Sequence, residues 1–450
     1  MNLPALPRQL RVLYASVALV ASTLTSLAEL SVTIAPDRPS GVYAAGETAS
    51  WTVNVNPDPA SPVHELTYNI TKDGATPVAS GKLDFSGTPV KISASRTDPG
   101  SMAVAVFVTG NPTRLALGGA IFDPEKISPS APEPKGFDAF WQSKLDELAR
   151  VPINPVVKKA PDPYKTKDVD YYQVTLDNIR GTKVHGQLAR PSAEGKYPAM
   201  LMVMGAGVSP LKPFAVLGDA KAGWLVFQIS AHDIPIDESG EFYTQLDNGA
   251  LKNYPLIGSE DREKSYFLRM FLGCARAVDY LTSRPDWDGK IMMVTGPSQG
   301  GLQSFATAGL CPKVTGVMAL VPAGCDVSGT LHNRGTVWPY WFSKAAGDRD
   351  MKKVETTAGY FDGLNFAARI HCPTLVGYGL IDETSRPDSV AAAVNALKGP
   401  KETIILPLSN HMGRDHTGKG KSLYQELFFS RAEAWKKSAL AGQSLPPKSP

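Results

Sequence analysis

The sequence predicts an α/β fold: a mostly parallel β-sheet flanked by helices, preceded by a small β-sandwich. Three observations carry this. Short segments of alternating polarity fill residues 29–120. From about residue 165, continuous apolar runs alternate with helical patterns. Near the middle of that alternation, Gly296-Pro297-Ser298-Gln299-Gly300 separates a strand-like run from a helix-like one. Alternating strands and helices specify a parallel sheet covered on both sides.

The N-terminal segment MNLPALPRQLR carries Arg8 and Arg11, and the uncharged stretch VLYASVALVASTLTSLA follows. Ser26 and Ala28 place small residues where a signal peptidase cleaves, so residues 1–28 read as a secretory signal peptide. The apolar run is short and broken by Ser and Thr, which favours cleavage near Ala28 over membrane anchoring. The expectation is an exported protein, periplasmic or extracellular, with no membrane attachment after processing.

Residues 29–120 read as a β-sandwich of immunoglobulin-like type. In ETASWTVNVNP, Ala49, Trp51, Val53 and Val55 share one face. In HELTYNITKDG, Leu66, Tyr68 and Ile70 alternate before an Asp73-Gly74 turn, and SMAVAVFV repeats the habit. Such a unit suits a carbohydrate-binding module or a structural cap. Residues 121–135 form a proline-rich linker: FDPEKISPSAPEPKGF holds four prolines in sixteen residues, so it is a stiff spacer or a wrap onto the next domain.

Residues 136–440 read as the larger α/β domain, and 441–450 as a tail. FDAFWQSKLDELARVP places Phe137, Phe140, Trp141, Leu145 and Leu148 at helical spacing. DYYQVTLDN and VHGQLARPS read as strands, and PAMLMVMGAG and WLVFQIS as strands buried on both faces. KSYFLRMFLGCARAVDYL is a helix with Leu268, Phe271, Leu272, Ala275 and Val278 on one stripe. IMMVTG, GVMALVPA, TLVGYGLID and TIILPLSN complete the strands.

The formal charge of +3 over 450 residues gives no electrostatic case for nucleic acid as a partner. Cys274, Cys311, Cys325 and Cys372 show neither CxxC spacing nor His at ligand spacing, so no metal or other cofactor is expected. They allow three full disulfide pairings, or buried free thiols.

Active sites in open parallel sheets lie beyond the carboxyl ends of the strands. Ser298 follows IMMVTG, Asp382 follows TLVGYGLI, and His411 follows TIILPLSN. Serine, acid, histidine is the chain order of the α/β-hydrolase fold. A serine hydroxyl needs an imidazole to take its proton, and the imidazole needs a carboxylate to fix its tautomer. Gly296 and Gly300 flank Ser298 because strand and helix crowd together at such an elbow. His416 and His371 compete with His411 as base. His416 reads as a loop residue, and His371 stands at the wrong end of the sheet. Among the carboxylates, Glu383 is adjacent to Asp382, Asp388 opens a helix, and Asp326, after GVMALVPAGC, is the serious rival to Asp382. Two backbone donors for an oxyanion are expected from the N–H groups of Gln299 and of Ala206 in Gly205-Ala206-Gly207.

With these residues placed, residues 130–440 resemble the acetyl xylan esterase / cephalosporin C deacetylase family. The likeness is carried by FDAFWQSKLDELA, KYPAMLMVMGAGVSP, NYPLIGSEDREKSYFLRMFLGCARAVDYLTSRPDWDG, TGPSQGG, YGLIDETSRPDS and LSNHMG. The resemblance implies a triad of Ser298, Asp382 and His411, with Gln299 as an oxyanion donor. The chain differs from well-studied members where they carry Arg-Gly-Gln and it reads ISAHDIP (229–235). It also has Gly205-Ala206 where they often have Tyr after His-Gly, and Met412 where they commonly have Glu. The expected function is hydrolysis of short acyl esters, with an acetylated saccharide as substrate. The alternatives are a prolyl-oligopeptidase-like serine peptidase and a non-catalytic carbohydrate-binding protein on a hydrolase scaffold.

Overall fold

The computed structural model describes residues 30–56, 65–85, 89–162, 164–418 and 421–446. The expected signal peptide, its cleavage boundary included, lies outside the described residues.

Two sheets make the N-terminal unit. β1 (Ser31–Pro36), β3 (Thr48–Asn56) and β6 (Val90–Ser95) form one, with β3 central. The second has the order β2 (Val42–Tyr43), β8 (Arg114–Phe122), β7 (Gly100–Val108), β4 (Leu66–Lys72), β5 (Thr76–Leu83). The alternation does its expected work: Ala49, Trp51, Val53 and Val55 are all buried, while the intervening residues face outward. They meet Leu66, Ile70, Met102, Val104, Val106 and Ala116 of the other sheet. Asp73 and Gly74 take φ of 49° and 69°, the left-handed pair a tight hairpin turn requires.

The catalytic sheet has nine strands. Its order is β17 (Lys401–Leu406), β16 (Thr374–Gly379), β15 (Gly316–Leu320), β14 (Trp287–Pro297), β12 (Tyr197–Val203), β13 (Leu225–Ile229), β11 (Lys183–Pro191), β10 (Val169–Asp177), β9 (Val156–Lys159). The strands from β17 to β13 run parallel, and β11, β10 and β9 add an antiparallel edge. Successive residues of the apolar runs feed opposite faces. Met292 and Val294 join the core under helices Tyr266–Ser283 and Gln299–Leu310, whereas Met293 joins the core under Phe214–Lys221 and Ser430–Leu440. This is the α/β-hydrolase architecture preceded by a small β-sandwich.

Helix Tyr266–Ser283 is buried well beyond its predicted stripe, with Phe267, Met270, Cys274, Ala277 and Leu281 also enclosed. It lies between the sheet and helix Phe137–Ala149, so few of its sides meet water. The proline-rich segment is bound along its length. Asn395 Nδ2 donates to the carbonyls of Pro124 (2.8 Å) and Ile127 (2.9 Å), and Ser130 Oγ donates to Asp326 Oδ1 (2.6 Å). Glu133 takes both terminal nitrogens of Arg369 at 2.8 Å. It is therefore a wrap, and the strand before it runs on to Phe122. All four cysteines are free.

Candidate active site

β14 ends at Pro297 and a helix begins at Gln299, leaving Ser298 alone to reverse the chain. It does so at φ 56°, ψ −121°, a region that residues with a side chain rarely enter. Neighbouring backbone holds it there. Ser298 N–H donates to Leu320 O at the end of β15 (2.8 Å), and Ala323 N–H donates to Ser298 O (3.0 Å). The flanking glycines are steric necessities. A Cβ on Gly296 or on Gly300 would stand 2.6 Å from Val203 O, and one on Gly300 also 3.0 Å from Met204 O.

Asp382 and His411 are brought to Ser298 from the ends of β16 and β17. His411 Nε2 lies 2.8 Å from Ser298 Oγ, and His411 Nδ1 lies 2.8 Å from Asp382 Oδ2. A carboxylate accepts, so the ring proton sits on Nδ1 and the Nε2 lone pair faces the hydroxyl. Asp382 is buried, and its other oxygen, Oδ1, accepts the N–H groups of Thr384 (2.8 Å) and Ser385 (2.9 Å). The histidine loop is tied by Asn410, whose Oδ1 accepts Met412 N–H (2.9 Å) and whose Nδ2 donates to Asp415 O (2.8 Å). Tyr424 Oη donates to His411 O (2.7 Å). The result is a proton relay aimed at a strained hydroxyl, with the free N–H groups of a helix N-terminus beside it.

The competing residues fall elsewhere. Asp326 Oδ1 serves Ser130, and its Oδ2 pairs with Arg334. Glu383 turns away to Arg114 of the sandwich. Asp388 is buried and accepts Ser101 Oγ–H (3.0 Å). His416 Nε2 donates to Leu115 O. His371 is exposed at the opposite edge, its carbonyl against Gly399.

The Gly205-Ala206-Gly207 loop does approach Ser298. A Cβ on Gly205 would stand 4.0 Å from Ser298 Cβ and 3.6 Å from Pro297 O. The loop is held on both sides of exposed Ala206. Gln303 Nε2 donates to Met204 O (2.9 Å), and His232 Nε2 donates to Gly207 O (3.0 Å). His232 was not selected by sequence reasoning. It follows β13, so the strand-end rule that selected Ser298, Asp382 and His411 also finds it. A carbonyl can only accept, so His232 carries its proton on Nε2, and Nδ1 accepts Tyr266 Oη–H (2.7 Å). Burial pushes its pKa down to about 4, which keeps the ring neutral. Tyr254, edge-on to His232, donates its hydroxyl to Gln299 Oε1. Gln299 is fully buried, so its side chain anchors the residue whose backbone N–H points out of the helix start. Periodicity carries no trace of these contacts, because residues 207, 232, 254 and 299 meet only in the folded chain.

The acetyl xylan esterase family model matches residues 124–425. The chain is 32% identical to the acetyl esterase Axe7A of Xylanibacter ruminicola, over 92% of this chain and 96% of that one. Among solved structures it is similar to an acetyl xylan esterase from a Paenibacillus species, with 27% identity, a TM-score of 0.58, and coverage of 69% of this chain and 98% of that one. A Thermoanaerobacterium acetyl xylan esterase shares the fold, with 24% identity, a TM-score of 0.57, and coverage of 67% and 94% respectively. The chain therefore belongs to the acetyl xylan esterase family and is a carboxylic ester hydrolase.

Proposed function

We propose that the protein is an exported serine esterase that removes acetyl groups from plant-derived saccharides such as xylan. The single observation that carries the mechanism is the unbroken relay from Asp382 through His411 to Ser298, with 2.8 Å at each link. Ser298 Oγ attacks the acetyl carbonyl while His411 Nε2 takes its proton. The carbonyl oxygen becomes an oxyanion, received by the backbone N–H groups of Gln299 and Ala206. Collapse breaks the ester bond. His411 returns the proton to the departing sugar oxygen, and the acetyl group stays on Ser298. Water then attacks with His411 again as base, releasing acetate and restoring the serine. Buried Asp382 steadies the imidazolium in both halves.

The saccharide is supported by the names of the relatives, and export by the N-terminal arginines, apolar run and Ser26-Leu27-Ala28. The test is acetate release from acetylated xylan and p-nitrophenyl acetate by wild type and Ser298→Ala, with a peptide anilide in parallel. Release by wild type alone, and no anilide cleavage, is the expected result. Inactive wild type on both esters would end the esterase reading, and anilide turnover would favour a peptidase.

A further inference from the structure

The N-terminal sandwich lies outside the matched family region, which begins at residue 124. Asp73 O accepts the N–H of Gly335 (2.7 Å), and further contacts with the catalytic domain fall on two short loops, those that carry Asp382 and His411. At the start of β8, Arg114 grips Glu383, the residue after Asp382, with both terminal nitrogens (3.0 and 2.7 Å). The next residue, Leu115, offers its carbonyl to His416 Nε2, five positions beyond His411. Further along β8, Gly119 lies flat on the backbone of Leu380. A Cβ there would stand 2.4 Å from Leu380 O and 2.8 Å from Leu380 C. A Cβ on Gly41 would lie 2.5 Å from Leu380 Cδ1 and 3.5 Å from Pro407 Cβ, on the turn leading to His411. Ser101 Oγ donates to buried Asp388 (3.0 Å), just past the acid loop.

We propose that the sandwich is a buttress for catalysis: β8, through Arg114, Leu115 and Gly119, sets the Asp382 and His411 loops against each other and so holds the relay on Ser298. One strand bonds both loops, so their separation is fixed by the rigid geometry of that strand. The two loops also meet directly, Leu380 N–H donating to Leu406 O (3.1 Å) and Ile381 N–H to Ser409 O (3.3 Å), and β8 clamps that pair from the sandwich side. A relay with 2.8 Å links loses its hydrogen bonds if either loop drifts by an ångström. Arg114 and Gly119 are positioning residues, acting on the reaction only through Asp382 and His411. The inference rests on the triad reading above.

The test uses the full chain. Arg114→Ala, Arg114→Lys, Glu383→Ala, the Arg114→Ala/Glu383→Ala double variant, Gly119→Ala and Lys82→Ala are compared with wild type and Ser298→Ala. Active sites are counted with a fluorophosphonate that labels Ser298, and its labelling rate is recorded. Expected is a five- to twentyfold loss of kcat for Arg114→Ala and at least tenfold for Gly119→Ala, counted per labelled site. KM for p-nitrophenyl acetate stays within twofold, and labelling slows in parallel. Arg114→Lys keeps a charge opposite Glu383 and recovers most of the loss. The double variant is no worse than either single one, because both remove the same contact. Lys82→Ala, which removes an exposed pair with Glu65 inside the sandwich, leaves kcat unchanged. A purely structural sandwich would lower the unfolding temperature and the number of labelled sites, while kcat per site stayed at the wild-type value in every variant. That result overturns the proposal. Activity in Ser298→Ala would instead overturn the triad reading itself.

Discussion

Replacing Asp382 with Asn changes one oxygen to nitrogen, yet it reverses the direction of the relay. The orientation of the new amide is set by the backbone. Asp382 Oδ1 accepts two N–H groups, from Thr384 and Ser385. Turning the amide so that its NH2 faced them would sacrifice both bonds, at about 1 kcal/mol each and more for donors left unpaired. A preference of about 2 kcal/mol or more, roughly thirtyfold, therefore keeps the oxygen there and points NH2 at His411 Nδ1. Nδ1 must then accept, the ring proton moves to Nε2, and Nε2 donates to Ser298 Oγ when it should accept from it. The developing imidazolium also loses its carboxylate. The expected fall in kcat/KM is about 10⁴-fold, or about 5 kcal/mol of transition-state stabilisation. The fold should tolerate the change, since shape is kept and a buried charge is removed. The assay is p-nitrophenyl acetate turnover per labelled Ser298, with thermal unfolding alongside. Asp326→Asn is the informative companion. It weakens a buried pair with Arg334 and should cost stability, about 3 kcal/mol, with little loss of kcat per folded molecule. An Asp382→Asn variant within tenfold of wild type, or a larger loss of turnover from Asp326→Asn, would refute the assignment of the acid.

Three further outcomes are expected. Gly300→Ala drives a methyl group to 2.6 Å from Val203 O, a backbone atom that cannot give way. It should lower kcat at least a hundredfold and stability by about 2 kcal/mol, checked by kinetics and calorimetry. Tyr254→Phe strips the donor from buried Gln299 Oε1, so stability should fall by about 1–3 kcal/mol and kcat roughly tenfold with KM little changed; equal kcat would disconnect Gln299 from the oxyanion. His232 titrates near 6.5 when unfolded and about 4 when folded. Between those values the unfolded chain binds the proton and the native state does not, so this residue's contribution falls as pH drops from 6.5 to 4, by about 3 kcal/mol in all. Arg269, stacked over Tyr266 beside it, pushes the same way. Urea unfolding between pH 7 and pH 4.5 should be less pH-dependent in His232→Gln; an unchanged slope would mean that His232 is not the group involved.

Much of the site was legible in the chain because its signals are local. Whether a residue falls on the buried face of a strand depends on its neighbours two positions away, so Trp51 and Val53 could be placed without coordinates. The continuous run IMMV required a strand covered on both sides, and the structure sends Met292 and Met293 to opposite cores. Gly296 and Gly300 advertised an elbow because a Cβ at either position collides with backbone. Ser298, Asp382 and His411 were singled out by one rule, that chemistry gathers past the strand ends, and the structure brings the three together.

Other features depend on which distant segments meet, and the chain carries no periodic record of that. Asp326 and Asp382 both follow strands, and only the packing of β14 to β17 sends Asp382 to His411 and Asp326 to Arg334. His232, Tyr254 and Gln299 come from three separate segments and brace the Gly205–Gly207 loop and the start of the helix after Ser298 only when the sheet forms. The proline-rich stretch could be a spacer or a wrap until its carbonyls found Asn395. By itself, the sequence determined which side chains could carry the chemistry, because a nucleophile, a base and an acid each need a particular side chain at a particular kind of turn. The tertiary structure decided which carboxylate bonds His411, what holds the Gly205–Gly207 loop, and where the sandwich presses, because those are set by contacts between residues far apart in the chain.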